Sequence, residues 1–329
     1  MDSSMLSRRR LAAMLALGLG TPGLAAPFAA NASVGSATQD PASDAPQIDP
    51  TRMMPEGRRL TVQVRINDAG PYPFLVDTGA NASVISSELA ASLNLPRRDP
   101  VTFHSIAGAE LVQTVGVDKV SVGRRTQRGL KMSVLPARFI RAPGVLGLDW
   151  LGTQGLVLDF ARNQMRLGSV VRRSDALSVT VPVVSRRSGL HLIDASVAGA
   201  SVLAFLDTGS TTTVGNTALM QQTLRRRAAS RDWADIQLLS LTGQVLQGRL
   251  AALKSLELGN LKLGNVPVVF GPVHTFEYWG LTDKPAILIG IDILNVFESV
   301  ALDFSRGQVH FRLPSSSTNR DAPPDTATS

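Results

Sequence analysis

The tripeptide Asp-Thr-Gly occurs twice in this chain, and each copy directly follows a run of apolar residues. The first copy is Asp77–Gly79 and the second is Asp207–Gly209. One such carboxylate is ordinary, because Asp and Gly are common turn formers. Two carboxylates at equivalent positions of a duplicated chain can be brought face to face, and sharing a proton then makes an acid and a base from identical residues.

The internal repeat extends beyond the tripeptide, through two further landmarks in the same order. An apolar strand that ends in Gly and continues as hydrophobic-Asp-hydrophobic-Leu spans residues 143–151 and again 286–294. A Leu-Asp-Phe segment with a following Arg lies in 157–164 and again in 301–308. Three matched landmarks indicate two homologous lobes of roughly 110 to 130 residues each. The alternative, two unrelated turns, explains only the tripeptides.

The remaining sequence divides around these lobes. We place the N-terminal lobe at 58–169, a linker with one strand that opens lobe two at 170–188, and the C-terminal lobe at 189–313. Residues 27–57 and 314–329 lack periodicity, which predicts a flexible lead-in and a disordered tail. Apolar residues alternate with polar ones from Leu60 to Ile66, the period of a half-buried strand. Short helices are expected after Ser86 or Ser87 and from Asn216 to about Arg227.

Residues 1–26 are typical of an export signal. Arg8, Arg9 and Arg10 form a positive region, Leu11 to Leu19 is apolar, and small residues near Ala26 or Ala30 offer cleavage sites. The apolar stretch is too short to span a bilayer, so no stable membrane anchor is expected. The adjacent arginines fit a twin-arginine signal, and a general secretory signal remains open. The sequence therefore predicts an exported protein, periplasmic or secreted.

The paired motifs resemble the aspartic protease superfamily, in its pepsin-like and retropepsin-like branches. The resemblance rests on the two Asp-Thr-Gly motifs and on the strands that end at Gly147 and Gly290, and it covers about residues 58–313. It implies an all-β, bilobal acid protease fold with two barrel-like lobes and short helices. Lobe length is closer to the retropepsin-like branch. The resemblance also implies an aspartic endopeptidase with Asp77 and Asp207 as its catalytic residues.

The same resemblance assigns supporting roles around the two carboxylates. The threonine hydroxyls are expected to tie the two loops together, and the glycines to allow close backbone approach. Ser210 differs from its counterpart Ala80, so we expect its hydroxyl to donate to Asp207 and to lower the pKa of that carboxyl. Asp77 would then hold the shared proton. The supporting residues are Thr78, Gly79, Ala80, Thr208, Gly209, Ser210, Gly147 and Gly290.

Each lobe also contains a candidate flap, a hairpin with Gly near its tip. The two segments are residues 103–111 and 238–246. By resemblance, retropepsins close a flap from each half over the substrate, whereas two plain surface hairpins are the alternative. We expect His104 to be a solvated hairpin histidine. The candidate flap residues are Ile106, Ala107, Gly108, Leu241, Thr242 and Gly243.

Other chemistries find little support. There is no Cys, which excludes disulfides and thiol catalysis, and the four His do not form a His-Glu-x-x-His motif. No Gly-x-Ser-x-Gly elbow occurs either. We therefore expect neither a metal nor a cofactor. Four aspartates recur in register but are expected to cap helices and turns. They are Asp149, Asp159, Asp292 and Asp303.

The net charge and the internal duplication limit which binding partners are expected. The net charge of +7 falls to +5 without residues 1–26, which hold three Arg and one Asp. The basic residues are scattered without interleaved aromatics, so nucleic-acid binding is not expected. The expected substrate is a peptide or protein, bound extended between the lobes. Because both half-sites lie on one chain, we expect a monomer. The alternative is a noncatalytic peptide- or envelope-binding module on the same fold.

Overall fold

The computed structural model describes residues 16–18, 51–52, 54–56, 59–152, 155–170, 175–187 and 190–315. These residues form a mostly β structure of two lobes with short helices, as the sequence predicts. The predicted export signal, lead-in and tail lie largely outside the described ranges. Among the described residues, no helix is both long enough and apolar enough to cross a bilayer.

Lobe one is built around an eight-stranded sheet in the order β3-β4-β5-β10-β6-β9-β8-β7. Strand β4 also pairs with β8, which closes the sheet into a barrel-like form. The strands up to the linker are β1 (Ala16–Gly18), β2 (Thr51–Arg52), β3 (Met54–Glu56), β4 (Arg59–Ile66), β5 (Ala69–Val76), β6 (Val84–Ser86), β7 (Arg97–Ser105), β8 (Gly108–Val122), β9 (Arg125–Leu135), β10 (Gly144–Leu146), β11 (Leu156–Asp159) and β12 (Gln164–Leu167).

Lobe two repeats this arrangement in the order β17-β18-β19-β16-β20-β15-β14, and a pairing between β14 and β18 closes it. The N-terminal strand β1 lies along the outer edge of β17. The strands of the second half are β13 (Ser178–Arg187), β14 (Leu190–Val197), β15 (Ala200–Leu206), β16 (Val214–Gly215), β17 (Ala234–Ser240), β18 (Val245–Leu258), β19 (Leu261–Phe270), β20 (Ala286–Ile289), β21 (Ser299–Asp303) and β22 (Gln308–Arg312).

The apolar strand before each Asp-Thr-Gly runs parallel to the strand that ends in Gly. Leu75 lies opposite Val145 in lobe one, and Phe205 lies opposite Leu288 in lobe two. The paired ends of these strands are buried on both faces, which explains their continuous apolar sequences. This pairing brings the first two repeated landmarks together within each lobe.

The two lobes share a sheet of six strands in the order β13-β22-β21-β11-β12-β2. Its central contact joins β11 of lobe one to β21 of lobe two, with Leu156 opposite Leu302. The third repeated landmark therefore forms the joint between the lobes. The linker strand β13 pairs with both β14 and β22, so it belongs to lobe two and to the shared sheet.

The helices are short and begin at residues with capping side chains where the sequence offers them. Ser86 accepts a hydrogen bond from the N–H of Leu89 at 3.0 Å, and Asn216 accepts one from Leu219 at 2.8 Å. The helices are α1 (Ser87–Ser92), α2 (Ala137–Ile140), α3 (Leu148–Leu151), α4 (Thr217–Arg226), α5 (His274–Tyr278) and α6 (Ile291–Leu294).

Candidate active site

Asp77 and Asp207 lie directly after β5 and β15, and both are completely buried. Oδ1 of Asp77 accepts hydrogen bonds from the N–H groups of Gly79 at 2.7 Å and Ala80 at 3.0 Å. Oδ1 of Asp207 accepts the same pair from Gly209 at 2.9 Å and Ser210 at 3.1 Å. Apart from the opposite carboxyl, the Oδ2 atom of each aspartate has no hydrogen-bond partner among the described residues. The two loops therefore hold their carboxyls in the same way.

The glycine of each motif lies against the aspartate of the other lobe. A Cβ placed on Gly79 would lie 2.6 Å from Cγ of Asp207, and one on Gly209 would overlap the carboxyl of Asp77. Any side chain at either position would displace the opposite carboxyl, so only Gly permits this approach. The structure thus brings together the two carboxyls that the sequence places 130 positions apart.

Burial dominates the electrostatics of this pair. The pKa of Asp77 is raised well above its ordinary value, first by burial, then by the negative charge of Asp207 and by a hydrogen bond with it. Burial raises the pKa of Asp207 to about 6, although a hydrogen bond from Asp77 and two backbone N–H groups work in the opposite direction. The two carboxyls therefore hold one proton between them and lose their protons in separate steps that belong to the pair.

Two threonine hydroxyls connect the loops across the lobe boundary. Oγ1 of Thr78 donates to the carbonyl of Leu206 at 2.8 Å and accepts from the N–H of Thr208 at 3.2 Å. Oγ1 of Thr208 donates to the carbonyl of Val76 at 2.7 Å and accepts from the N–H of Thr78 at 3.2 Å. These four buried hydrogen bonds fix the position of one aspartate relative to the other.

The expected role of Ser210 is wrong. Its Oγ donates to the carbonyl of Thr212 at 2.7 Å, so the hydroxyl closes its own loop and does not reach the carboxyl of Asp207. The backbone N–H of Ser210 bonds Asp207 as the N–H of Ala80 bonds Asp77. The residue after each motif therefore gives its aspartate the same backbone hydrogen bond in both lobes.

Ser83 and Thr213 make a further set of hydrogen bonds near each Asp-Thr-Gly loop, and neither residue was identified from the sequence. Ser83 Oγ donates to Asp149 at 2.6 Å and accepts from the N–H of Gly147 at 3.1 Å. Thr213 Oγ1 donates to Asp292 at 2.8 Å and accepts from the N–H of Gly290 at 3.0 Å. The internal repeat could have identified them, because Ser83 and Thr213 occupy equivalent positions after Asp77 and Asp207.

The remaining repeated aspartates have capping roles. Asp159 and Asp303 each accept from the backbone N–H of the arginine three residues later and pair with its guanidinium at 3.0 Å. The catalytic loops pack closely against Gly147 and Gly290, as expected. A Cβ on either glycine would lie 2.8 Å from a carbonyl oxygen of the neighbouring loop.

A family model described as aspartyl protease matches residues 62–150 and 193–293, more than half of the chain. The chain belongs to the aspartyl protease family. Each matched segment contains one Asp-Thr-Gly motif and its partner strand, so the family pattern is present in both lobes. No curated protein matches the chain.

Both hairpins cross to the opposite lobe. Ile106, in the turn between β7 and β8, is buried in an apolar cluster whose other core members all belong to lobe two. Leu241, in the turn between β17 and β18, is buried among core residues of lobe one. The tips also approach each other, because a Cβ on Gly108 would lie 3.2 Å from the side-chain oxygen of Gln244. Each turn thus shares an apolar cluster with a residue close to an aspartate, Phe205 for Ile106 and Ala80 for Leu241.

The hairpin residues differ in what they contact. Ala107 packs against the lobe-two cluster, and Gly243 lies so close to Phe139 of lobe one that a Cβ there would overlap the ring. The N–H of Thr242 bonds the hydroxyl of Ser240 at 3.3 Å, which closes the turn. His104 is not a solvated histidine, since it is partly buried and stacks on His274 of lobe two.

A surface groove lies away from the Asp pair. One groove of about 130 Å³ lies on the shared sheet and includes Arg162, Glu298 and Arg312 in its lining. Glu298 pairs with Arg312 at 3.2 Å and approaches Arg162 of lobe one at 3.9 Å, so this groove carries an ion-pair network across the joint. In the described part of the chain, no three His, Asp or Glu side chains are arranged to hold a metal ion.

Proposed function

We propose that this protein is an aspartic endopeptidase that hydrolyses peptide bonds through a water activated by Asp77 and Asp207. The observation that carries the proposal is the close approach of two completely buried carboxyls, which equivalent loops of the two lobes hold by the same pair of backbone N–H groups. Membership of the aspartyl protease family supports a peptidase activity in general. A binding module would need neither a second carboxylate nor the crossed threonine bonds that hold the pair.

In the proposed reaction, the ionised Asp207 takes a proton from a water bound between the carboxyls. The water oxygen attacks the carbonyl carbon of the peptide, and the protonated Asp77 donates to the oxyanion that develops. The proton taken by Asp207 then passes to the leaving nitrogen as the C–N bond breaks, and Asp77 takes a proton back from a hydroxyl of the intermediate, which becomes the new carboxylic acid. No covalent bond to the enzyme forms. The buried Oδ2 atoms, which have no partner among the described residues other than the opposite carboxyl, suit contacts with water and carbonyl oxygen.

The substrate is proposed to be a peptide or protein segment in extended form, held between the Asp pair and the two hairpins. The strand edges and turns of the hairpins offer backbone groups to such a segment, in the manner of strand addition. The active species is proposed to be a monomer, because one chain supplies both aspartates. Specific activity should therefore be independent of enzyme concentration. A rise of activity in step with dimer formation would contradict this.

The pH dependence follows from the two ionisations. Activity requires Asp207 ionised and Asp77 protonated. The pKa of Asp207 near 6 implies that kcat/KM rises as pH increases through about 6, and the higher pKa of Asp77 implies a fall at higher pH. The two apparent values belong to the coupled pair. A maximum well below pH 5 would contradict this assignment.

The test is cleavage of a diverse peptide library by the wild type and by Asp77→Asn and Asp207→Asn, with and without pepstatin. Each variant removes half of the acid-base pair and is expected to lower kcat by about 10³-fold or more. Asp194→Asn, at an exposed position on β14, is the matched control and should keep wild-type activity. Circular dichroism establishes that each variant is folded. Near-wild-type cleavage by either dyad variant, or peptide binding without cleavage by the wild type, would overturn the proposal.

Export is proposed on the basis of residues 1–26, with a mature N-terminus near Pro27 or Asn31. The test is N-terminal sequencing of the protein from periplasmic and culture fractions. Full-length protein confined to the cytoplasm would count against export.

A further inference from the structure

One glutamate of the first hairpin has a buried carboxyl oxygen without a bonding partner. In this subsection, flap one is residues 103–111 and flap two is residues 238–246. Glu110 lies on β8 just after the turn of flap one, and its Oε1 atom is buried without a hydrogen bond among the described residues. The ion pairs in the described part of the chain do not include Glu110 either. Buried polar atoms of folded proteins nearly always have a partner, so this one requires an explanation.

The pairing of the hairpin strands gives the direction of the Glu110 side chain. Glu110 lies directly opposite Phe103 in the antiparallel pair of β7 and β8, and Val112 follows two residues later on β8. Opposite residues, and residues two apart on a strand, share one face of a sheet. Phe103 and Val112 are buried in an apolar cluster with Ala80 of the first Asp-Thr-Gly loop and Leu241 of flap two. Glu110 therefore lies on the face of flap one that is turned toward that loop and toward the tip of flap two.

The same position of flap two is apolar. Leu246 lies opposite Leu238 in the pair of β17 and β18, as Glu110 lies opposite Phe103. Leu238 belongs to the apolar cluster of lobe two, and Leu246 packs against it. A carboxyl oxygen that is buried without a hydrogen bond costs free energy, whereas an apolar side chain at this position does not. Packing of the hairpin therefore does not explain the glutamate, and a bound partner would.

We propose that Glu110 determines specificity by binding a lysine or arginine side chain of the peptide substrate, in the half of the cleft that lobe one forms. The inference rests on the proposed function, since it names a preference of the same cleft. An ionised carboxyl only accepts hydrogen bonds, so a cationic donor both satisfies the unpaired oxygen and neutralises the charge. Peptides offer two such side chains, the ammonium of Lys and the guanidinium of Arg.

The net charge of the chain does not favour basic peptides. It is +7, or +5 without residues 1–26, so long-range attraction favours acidic substrates. A preference for Lys or Arg would therefore have to come from a local contact. Glu110 is the only acidic residue in the sequences of the two flaps. Besides the Asp pair, it is thus the one group of these segments that can attract a cation.

The experiment compares kcat/KM across pools of octapeptides, in which each pool fixes one position as Arg, Lys, norleucine or Glu and varies the others. The pools are cleaved by the wild type, by Glu110→Gln and by Glu110→Lys. Asp118→Asn is the matched control, because it removes an exposed carboxyl from the same strand, β8. Circular dichroism establishes that each variant is folded.

At one peptide position, the wild type and Asp118→Asn should prefer the Arg and Lys pools over the norleucine pool by about 10- to 100-fold, the range for a hydrogen bond to a charged group. Glu110→Gln keeps the size of the side chain but not its charge, so it should lose most of this preference while kcat/KM for norleucine stays the same. Glu110→Lys should prefer the Glu pool at that position. A residue with a merely structural role would lower kcat/KM for all pools alike. That result, or an equal preference for basic pools in wild type and Glu110→Gln, would overturn the inference.

A binding measurement separates this inference from the proposed function. Fluorescein-labelled Arg and norleucine pools are titrated with Asp207→Asn and with the double variant Asp207→Asn, Glu110→Gln, and binding is followed by fluorescence polarisation. If the wild type cleaves no pool, the peptidase proposal fails and binding alone decides the role of Glu110. Tighter binding of the Arg pool by about 10-fold in Asp207→Asn, and its loss in the double variant, would uphold the role. Equal binding of the two pools by Asp207→Asn, or binding of neither, would refute it.

Discussion

Replacement of Thr208 by Val should destabilise both lobes together. Thr208 is 1% exposed, and its hydroxyl makes two hydrogen bonds across the lobe boundary, to the carbonyl of Val76 and from the N–H of Thr78. Valine has nearly the same shape but cannot make either bond. The change therefore removes two hydrogen bonds and leaves a buried carbonyl and a buried N–H without partners.

The magnitude follows from those two orphaned groups. Each buried polar group that loses its partner costs about 1 to 3 kcal/mol, so Thr208→Val should lower the free energy of unfolding by about 2 to 6 kcal/mol. Thr208→Ser is the matched control, because it keeps the hydroxyl and loses only a methyl group, at a cost of about 1 kcal/mol. The difference between the two variants isolates the hydrogen bonds.

The assay is urea unfolding followed by tryptophan fluorescence. Trp150 reports lobe one, while Trp233 and Trp279 report lobe two. We expect the unfolding midpoints of both lobes to fall in Thr208→Val, and kcat to fall with them because the relative position of the carboxyls loosens. The reasoning fails if the free energy of unfolding of Thr208→Val lies within about 0.5 kcal/mol of the wild-type value, or if Thr208→Ser is destabilised as much as Thr208→Val.

Two further predictions concern the aspartates. The pKa of Asp77 is higher in the folded than in the unfolded protein, so this carboxyl makes folding less favourable as pH rises from about 4 through its folded pKa. Asp77→Asn removes this cost and should raise the free energy of unfolding near pH 7 by roughly 1 to 3 kcal/mol. Melting temperatures across pH test this, and the gain should vanish near about pH 3, where both states are protonated; a loss of stability at pH 7 would contradict it. Ser210→Ala should leave the pH profile of kcat/KM unchanged, because its hydroxyl bonds the carbonyl of Thr212. A shift of the acidic limb of kcat/KM in this variant would indicate that the hydroxyl of Ser210 does contact the carboxyl of Asp207.

The internal repeat determined the outline of the fold. Two Asp-Thr-Gly motifs, each with a partner strand ending in Gly, predict two lobes that meet at their aspartates, and the strand pairings in both lobes agree with this. Local signals also sufficed for the caps at Ser86 and Asn216, because a side chain that bonds an N–H three residues later needs no other part of the chain.

Contacts between distant segments required the tertiary structure. The joint between β11 and β21 involves two strand edges whose backbone groups could pair with many partners, and their sequences carry no mark of the choice. His104 likewise looks like any hairpin histidine until the flap places it on His274. The sequence offers the hydroxyl of Ser210 two nearby acceptors, the carboxyl of Asp207 and the carbonyl of Thr212, and only the loop geometry selects the carbonyl. Sequence determines which groups can form bonds locally, whereas the folded chain decides which of several equivalent partners each group meets.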